Sequence, residues 1–172
     1  MCPGYGHAPR WRTGERLDHL FEARCDGNRK NGRGDHLAVN AGDVVLTYDQ
    51  LDARANQLAR HLLACGAQTG DRIGLLFDQS VQSYVGMLAV LKINAAYVPL
   101  DVGFPLDRLS YIVQDAGVRL VLSLSHLRER VGDLDATLLC VDEMAALVAA
   151  ENDHRLTDAE RGEPADELCY II

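Results

Sequence analysis

Residues 71–101 read "DRIGLLFDQSVQSYVGMLAVLKINAAYVPLD". The first seven, "DRIGLLF", hold a continuous apolar run of the kind found in strands buried on both faces. Ser80 then opens a helix that buries Val81, Tyr84, Val85, Leu88 and Leu91 at helical spacing. Asn94 marks its end, because asparagine tolerates the left-handed backbone of a helix stop. "AYVPL" is a second short strand, cut off by Pro99, which has no N–H to give to a ladder. Strand, helix, strand within about thirty residues predicts one unit of a parallel sheet.

The same alternation extends in both directions. Upstream, "HLAVNAGDVVLTY" (36–48) holds two apolar runs around Gly42-Asp43, a hairpin pattern. Thr47 and Gln50 form a capping box for a helix whose apolar face is Leu51, Ala55, Leu58, Ala59 and Leu62, with Gly66 as the stop. Downstream, Pro105 sits where a first-turn proline is harmless, and Leu109, Ile112, Val113 and Ala116 make a third apolar face before Gly117. "RLVLS" (119–123) and "TLLCV" (137–141) are further buried-type strands, and Asp142 begins a short helix over "DEMAALVAAEN". The order β-α-β-α-β-α-β predicts an α/β fold, a mainly parallel sheet with helices on its faces. Residues 151–167 carry seven acidic groups and read as an exposed connector to a last strand, "LCYII" (168–172). Residues 1–16 read as a flexible tail ahead of a single domain, 17–172.

Charge and composition exclude several classes. The chain has 172 residues, is 48% hydrophobic and 24% charged, and carries a net charge of −8. Residues 1–34 hold seven basic and four acidic groups, and the remainder ten and 21. The basic stretch "RCDGNRKNGRG" (24–34) lacks interleaved aromatics and a helical stripe, so it reads as a solvated loop and not as a nucleic-acid arm. "SYVGMLAVLKINAAYVPL" is interrupted by Lys92, Asn94 and Pro99, which excludes a membrane span. Cys2, Cys25, Cys65, Cys140 and Cys169 are scattered without C-x-x-C spacing, as reduced thiols in a cytoplasm would be.

No motif with its own chemistry stands out. There is no G-x-x-x-x-G-K-[ST], no G-x-G-x-x-G after a strand, and no G-x-S-x-G. His61 falls on the polar side of its helix and reads as solvated. The pairs Asp49/Asp52 and Asp142/Glu143 lie at helix starts, where they complement the dipole.

Three stretches in register carry a resemblance. "LTYDQLDARANQLARHL" (46–62) resembles the opening motif of the amino-acid adenylation domains of nonribosomal peptide synthetases, L-T-Y-x-E-L. "LKINAAYVPLD" (91–101) resembles their L-K-A-G-x-A-Y-V-P-[IL]-D, and "FPLDRLSYIVQDAG" (104–117) the Y-P-x-E-R-L-x-Y-x-x-x-D-[AS]-G that follows. The Y-V-P-L-D form favours peptide synthetases over acyl-CoA ligases, their relatives in the AMP-binding superfamily. Within that group residues 71–101 most resemble synthetases that make homopolymers of basic amino acids. Gln50, Ile93, Asn94 and Val102 depart from the usual Glu, Ala, Gly and Pro, and all four are packing or capping changes.

The resemblance implies the N-terminal portion of the adenylate-forming fold. It implies ATP, Mg2+, an amino acid and a phosphopantetheine carrier as cofactors and partners of a full-length enzyme. In the family a strand like "ELCYII" runs into the glycine-rich loop that holds the ATP phosphates. No residue of this chain matches that loop, so no catalytic, cofactor-binding or metal residue is assigned and no cofactor is expected on this segment alone. A cytoplasmic protein without nucleic-acid or membrane partners is expected, with self-association through exposed sheet surface. A non-catalytic remnant or interaction module, and a fragment of an acyl-CoA ligase, remain alternatives.

Overall fold

The computed structural model describes residues 15–42, 44–132, 134–164 and 168–172. A first helix, α1 (Leu17–Lys30), leads into a hairpin of β1 (Leu37–Ala41) and β2 (Val44–Thr47), paired antiparallel. The helix α2 (Tyr48–Ala64) follows directly. Its capping box is formed as expected: Gln50 N–H donates to Thr47 Oγ1 at 3.2 Å, and Thr47 N–H donates to Gln50 Oε1 at 3.0 Å.

Then come β3 (Arg72–Leu76), α3 (Val81–Lys92), β4 (Ala96–Leu100), α4 (Leu106–Ala116), β5 (Leu120–Ser123) and β6 (Thr137–Cys140). The four strands form one parallel sheet in the order β4-β3-β5-β6. Side chains alternate along β3, so Ile73 and Leu75 face one way and Arg72 and Gly74 the other. On the first face lies α3, whose Gly86 is so close that a Cβ there would stand 3.1 Å from the Phe77 ring and 3.5 Å from Leu75. On the second, Arg72 Nη1 donates to the Ala116 carbonyl at the end of α4, at 2.9 Å. Helices therefore cover both faces, and the strands are correspondingly apolar throughout. Ile73, Leu76, Val121 and Leu122 are fully buried. Gly74 leaves no room either: a Cβ would meet Leu100 at 3.0 Å and Val121 at 3.1 Å.

Several local expectations need correction. Tyr84 is exposed on α3, not buried, while Asn94 does hold the left-handed stop at φ 56°. Pro99 lies inside β4, which continues to Leu100; two residues after Tyr97, its ring nitrogen faces the 168–172 side of β4, where the missing N–H costs no ladder bond to β3. The crossover between β5 and β6 is only a 3-10 turn (125–127) and α5 (Arg128–Val131). Asp142 does not begin a helix: α6 (Ala145–Ala149) starts after Met144, and Asp142 instead accepts the Ser125 N–H at 2.9 Å. The basic stretch 24–34 is largely helical, because α1 docks through Cys25 (0% exposed) and runs on to Lys30. Residues 1–14 of the tail, the Asp43 turn position and residues 165–167 lie outside the described residues.

The acidic connector is also bound to the domain and not merely exposed. Leu156 is buried, and the one-turn helix α7 (Asp158–Arg161) ends on the buried Arg161. The polar face of α2 catches the segment by its backbone. Asn56 Nδ2 donates to the Asp153 carbonyl (2.8 Å), and Arg60 Nη1 to those of Asn152 (2.7 Å) and His154 (2.6 Å).

Beneath this strap lies a buried ionic cluster. Lys92, at 0% exposure, donates to Asp52 at 2.8 Å and to Glu22. Arg155 closes the cluster from outside, reaching Asp52 (3.3 Å) and both oxygens of Asp26 (3.0 and 2.9 Å). Asp52 thus does more than complement a helix dipole; it links α1, α2, α3 and the strap. Burying such charges is tolerable only because every one of them finds an opposite partner.

The last residues add an edge to the sheet. Tyr97 N–H donates to the Cys169 carbonyl at 3.0 Å, and Ile171 N–H donates to the Tyr97 carbonyl at 3.1 Å. This is a single parallel bridge between Tyr97 and Tyr170, whose rings stack at 5.7 Å. The strand expected over 168–172 is thus reduced to one bridge, a half-exposed margin segment beside β4, with Ile172 fully exposed.

Candidate functional site

Parallel pairing brings all four strand ends to one edge of the sheet: Leu76 opposite Leu100, and Ser123 opposite Cys140. The chain runs from β3 to β4 on one side and then crosses to β5 on the other side of β3. Such a reversal leaves a crevice at the carboxyl ends of the strands, where open α/β sheets bind ligands. The structure has a cleft of about 1090 Å³ at this edge. It is bordered by Asp78 and Ser80 after β3, Asp101 and Phe104 after β4, Gly42 of the hairpin, and Ile172.

The loops at this edge are held by short polar contacts. Ser80 caps α3, its hydroxyl accepting the Gln82 N–H at 3.2 Å. Asp101 accepts the Gly103 N–H at 2.7 Å, tightening the turn after β4. Asp78 and His126 meet at 2.8 Å, tying the loop after β3 to the turn after β5. Asp142 holds Ser125 by both backbone N–H and hydroxyl. Desolvation pushes its carboxyl upward, but the hydrogen bonds from Ser125 and from nearby backbone outweigh it and hold the group below the usual range. Below them the buried Ser123 hydroxyl donates to the Leu76 carbonyl at 2.9 Å.

Charges of both signs stand at the cleft. Its described lining includes two carboxylates, Asp78 and Asp101, while two guanidinium groups stand at its border: Arg130 donates to the Val102 carbonyl, and Arg108 lies 4.9 Å over the Phe104 ring. Among the described residues no three His, Cys, Asp or Glu side chains converge as a metal cage. No step is assigned to the Mg2+ that the sequence resemblance implies.

His61 is not solvated: it is 8% exposed, with Nε2 3.3 Å from Met144 Sδ and 3.6 Å from Cys65 Sγ. Cys25, buried beside Asp52, has its thiol pushed up to about 11, mainly by desolvation, which makes it an inert core residue. The site residues that sequence reasoning passed over are Asp78, Asp101, His126 and Ile172. Each follows a strand or a strand-edge turn by only a few positions, so the strand assignments already contained the signal. Among the described residues no helix is long and apolar enough to cross a membrane.

An open parallel sheet with helices on both faces and a switch-point cleft at its carboxyl edge defines the open α/β class of protein, whose ligands bind at the ends of the strands. Within that class the chain belongs to the AMP-binding enzyme family, whose model matches residues 27–172. It is 44% identical over 111 residues to gramicidin S synthase 2 of Brevibacillus brevis, covering 64% of this chain and 2% of that protein. It is 33% identical over 164 residues to tyrocidine synthase 1 of Brevibacillus parabrevis, covering 94% of this chain and 14% of that one. The chain thus spans a small part of the relatives it matches. Among solved structures, FmoA3, a nonribosomal peptide synthetase in its alpha-methyl-L-serine-AMP-bound form, superposes with a TM-score of 0.75 at 27% identity, over 92% of this chain and 17% of that one. The N-terminal subdomain of Klebsiella oxytoca NpsA shares the fold, with a TM-score of 0.73 at 21% identity over 92% of this chain and 38% of that one.

Proposed function

We propose that this chain is the sheet platform of an amino-acid adenylation domain in nonribosomal peptide synthesis. The complete domain would join an amino-acid carboxylate to the α-phosphate of ATP, release pyrophosphate, and pass the aminoacyl group to a phosphopantetheine thiol. One observation carries this reading: the margin segment 168–172 runs parallel beside β4 and brings Ile172 to the carboxyl-edge cleft. On the sequence resemblance, the phosphate loop of the family follows such a segment. An ATP-consuming enzyme with reduced thiols would work in the cytoplasm. Exposed Leu37, Val44, Val45 and Ile172 give the isolated chain an apolar surface through which copies would self-associate.

The test is amino-acid-dependent ATP–pyrophosphate exchange. The chain alone is expected to give none. Exchanged into a peptide synthetase module in place of the matching segment, it is expected to support exchange with that module's own amino acid. Strong exchange by the isolated chain, or a folded chimera without activity, would reject the proposal.

A further inference from the structure

The margin strand is held by very little ladder. Among the described residues one bridge and one ring stack pair it with β4, beside the packing of Ile171 against the core, and a parallel segment with so short a ladder can slip while keeping its side-chain alternation. A second tie comes from a distant part of the chain. Arg16 stands just ahead of α1, outside the segment that the family model matches, and is only 3% exposed. One arm of its guanidinium, Nη2, donates to the Ala95 carbonyl at 2.9 Å, at the start of β4. The other, Nη1, donates to the Leu168 carbonyl at 3.0 Å, at the start of the margin strand. Its Nε lies 3.6 Å from Asp18, itself fully buried and shared with Arg161 at 3.3 Å.

The planar fork therefore spans the two strand starts, while the Tyr97 bonds to Cys169 and Ile171 fix the strands further along. Two ties at different points along a strand define its register, whereas one does not. We infer that Arg16 is the register pin of the margin strand, setting how residues 168–172 lie against β4. The deeper consequence rests on the function proposed above: Arg16 would then be a positioning residue for whatever the segment carries into the cleft.

Two substitutions separate the pin from simple structural support. Arg16→Lys keeps a positive charge near Asp18 but has no planar fork, and Arg16→Met loses both. Hydrogen exchange of the whole chain is read at the Tyr97 and Ile171 amides, with Ile73 and Val121 of β3 and β5 as internal references. The expected result for Arg16→Lys is exchange roughly tenfold faster at Tyr97 and Ile171 with the references unchanged, as for loss of about one hydrogen bond. Arg16→Met should show the same local effect or a larger one. Unchanged Ile171 exchange in Arg16→Lys would overturn the pin, as would equal acceleration at all four amides. In the active chimera, Arg16→Lys should raise KM for ATP several-fold and leave KM for the amino acid unchanged. Equal changes in both would overturn the positioning role. An inactive parent chimera would count against the proposed function, and the exchange data would still decide the pin.

Discussion

The two faces of α2 are removed from water for different reasons. Its apolar face, Leu51, Ala55, Leu58, Ala59 and Leu62, is buried in the core by nonspecific hydrophobic packing, the kind of interaction that periodicity reveals directly. Its polar face is almost as dry. Asp52 and Asn56 are each 2% exposed and His61 8%, yet none of them packs like an apolar residue. Asp52 joins the ionic cluster, Asn56 and Arg60 hold strap carbonyls, and His61 lies against two sulfurs. One face depends on area removed from water and the other on each charge and carbonyl having its partner.

The largest effect is expected from removing the charge on α3 that the polar face of α2 is paired with. Lys92→Met leaves Asp52 and Glu22 facing each other with less compensation and should cost about 3–5 kcal/mol in denaturant unfolding. The double variant Lys92→Met/Asp52→Leu should recover a large part of that loss, because an apolar pair of similar volume carries no desolvation cost. A double variant as unstable as the sum of the two singles would mean that the cluster is not coupled.

The apolar counterpart is Leu122→Ala, at a fully buried position of β5. About 2–5 kcal/mol should be lost through the transfer and cavity costs together, with no second substitution of opposite charge able to restore it. A loss below about 1 kcal/mol would show that the sheet core relaxes around the gap instead of keeping native packing.

How far the sequence revealed this arrangement follows from the same division. The parallel sheet, its helices and the family were legible because β3, α3 and β4 carry their signals locally, in consecutive residues. The strap was not legible, since nothing within 151–162 says that Arg155 will meet Asp26 and Asp52 or that Arg161 will meet Asp18. These are pairings between residues more than a hundred positions apart, and polar residues on a helix face read alike whether they meet water or a distant carbonyl. The same blindness made the helical stretch around Cys25 look like a loop and placed His61 in solvent. At the candidate site, the strand ends were legible and the cleft between them was not, because its shape depends on the order β4-β3-β5-β6.

The smallest effect tests the strap where it is most open to water. Glu160 makes two contacts with Arg60, at 2.8 and 3.2 Å, and accepts the Thr157 N–H at 2.7 Å. The Arg60 guanidinium first, and then the Thr157 backbone, hold its carboxyl down at about 2, against an ordinary value of 4.5. A carboxyl whose folded value is depressed adds stability that is complete above the unfolded value and disappears as pH falls through the folded one. Stability should therefore decline between pH 4.5 and about 2 in the parent chain, and part of that decline should vanish in Glu160→Gln. Its side chain is 36% exposed, so solvent screening reduces the contribution to about 1 kcal/mol or less near neutral pH. The measurement is urea unfolding at pH 6 and pH 3 for parent and variant. A variant that loses as much stability as the parent between those values would show that the Arg60–Glu160 contact does not hold the strap, leaving the backbone bonds from Asn56 and Arg60 to do so.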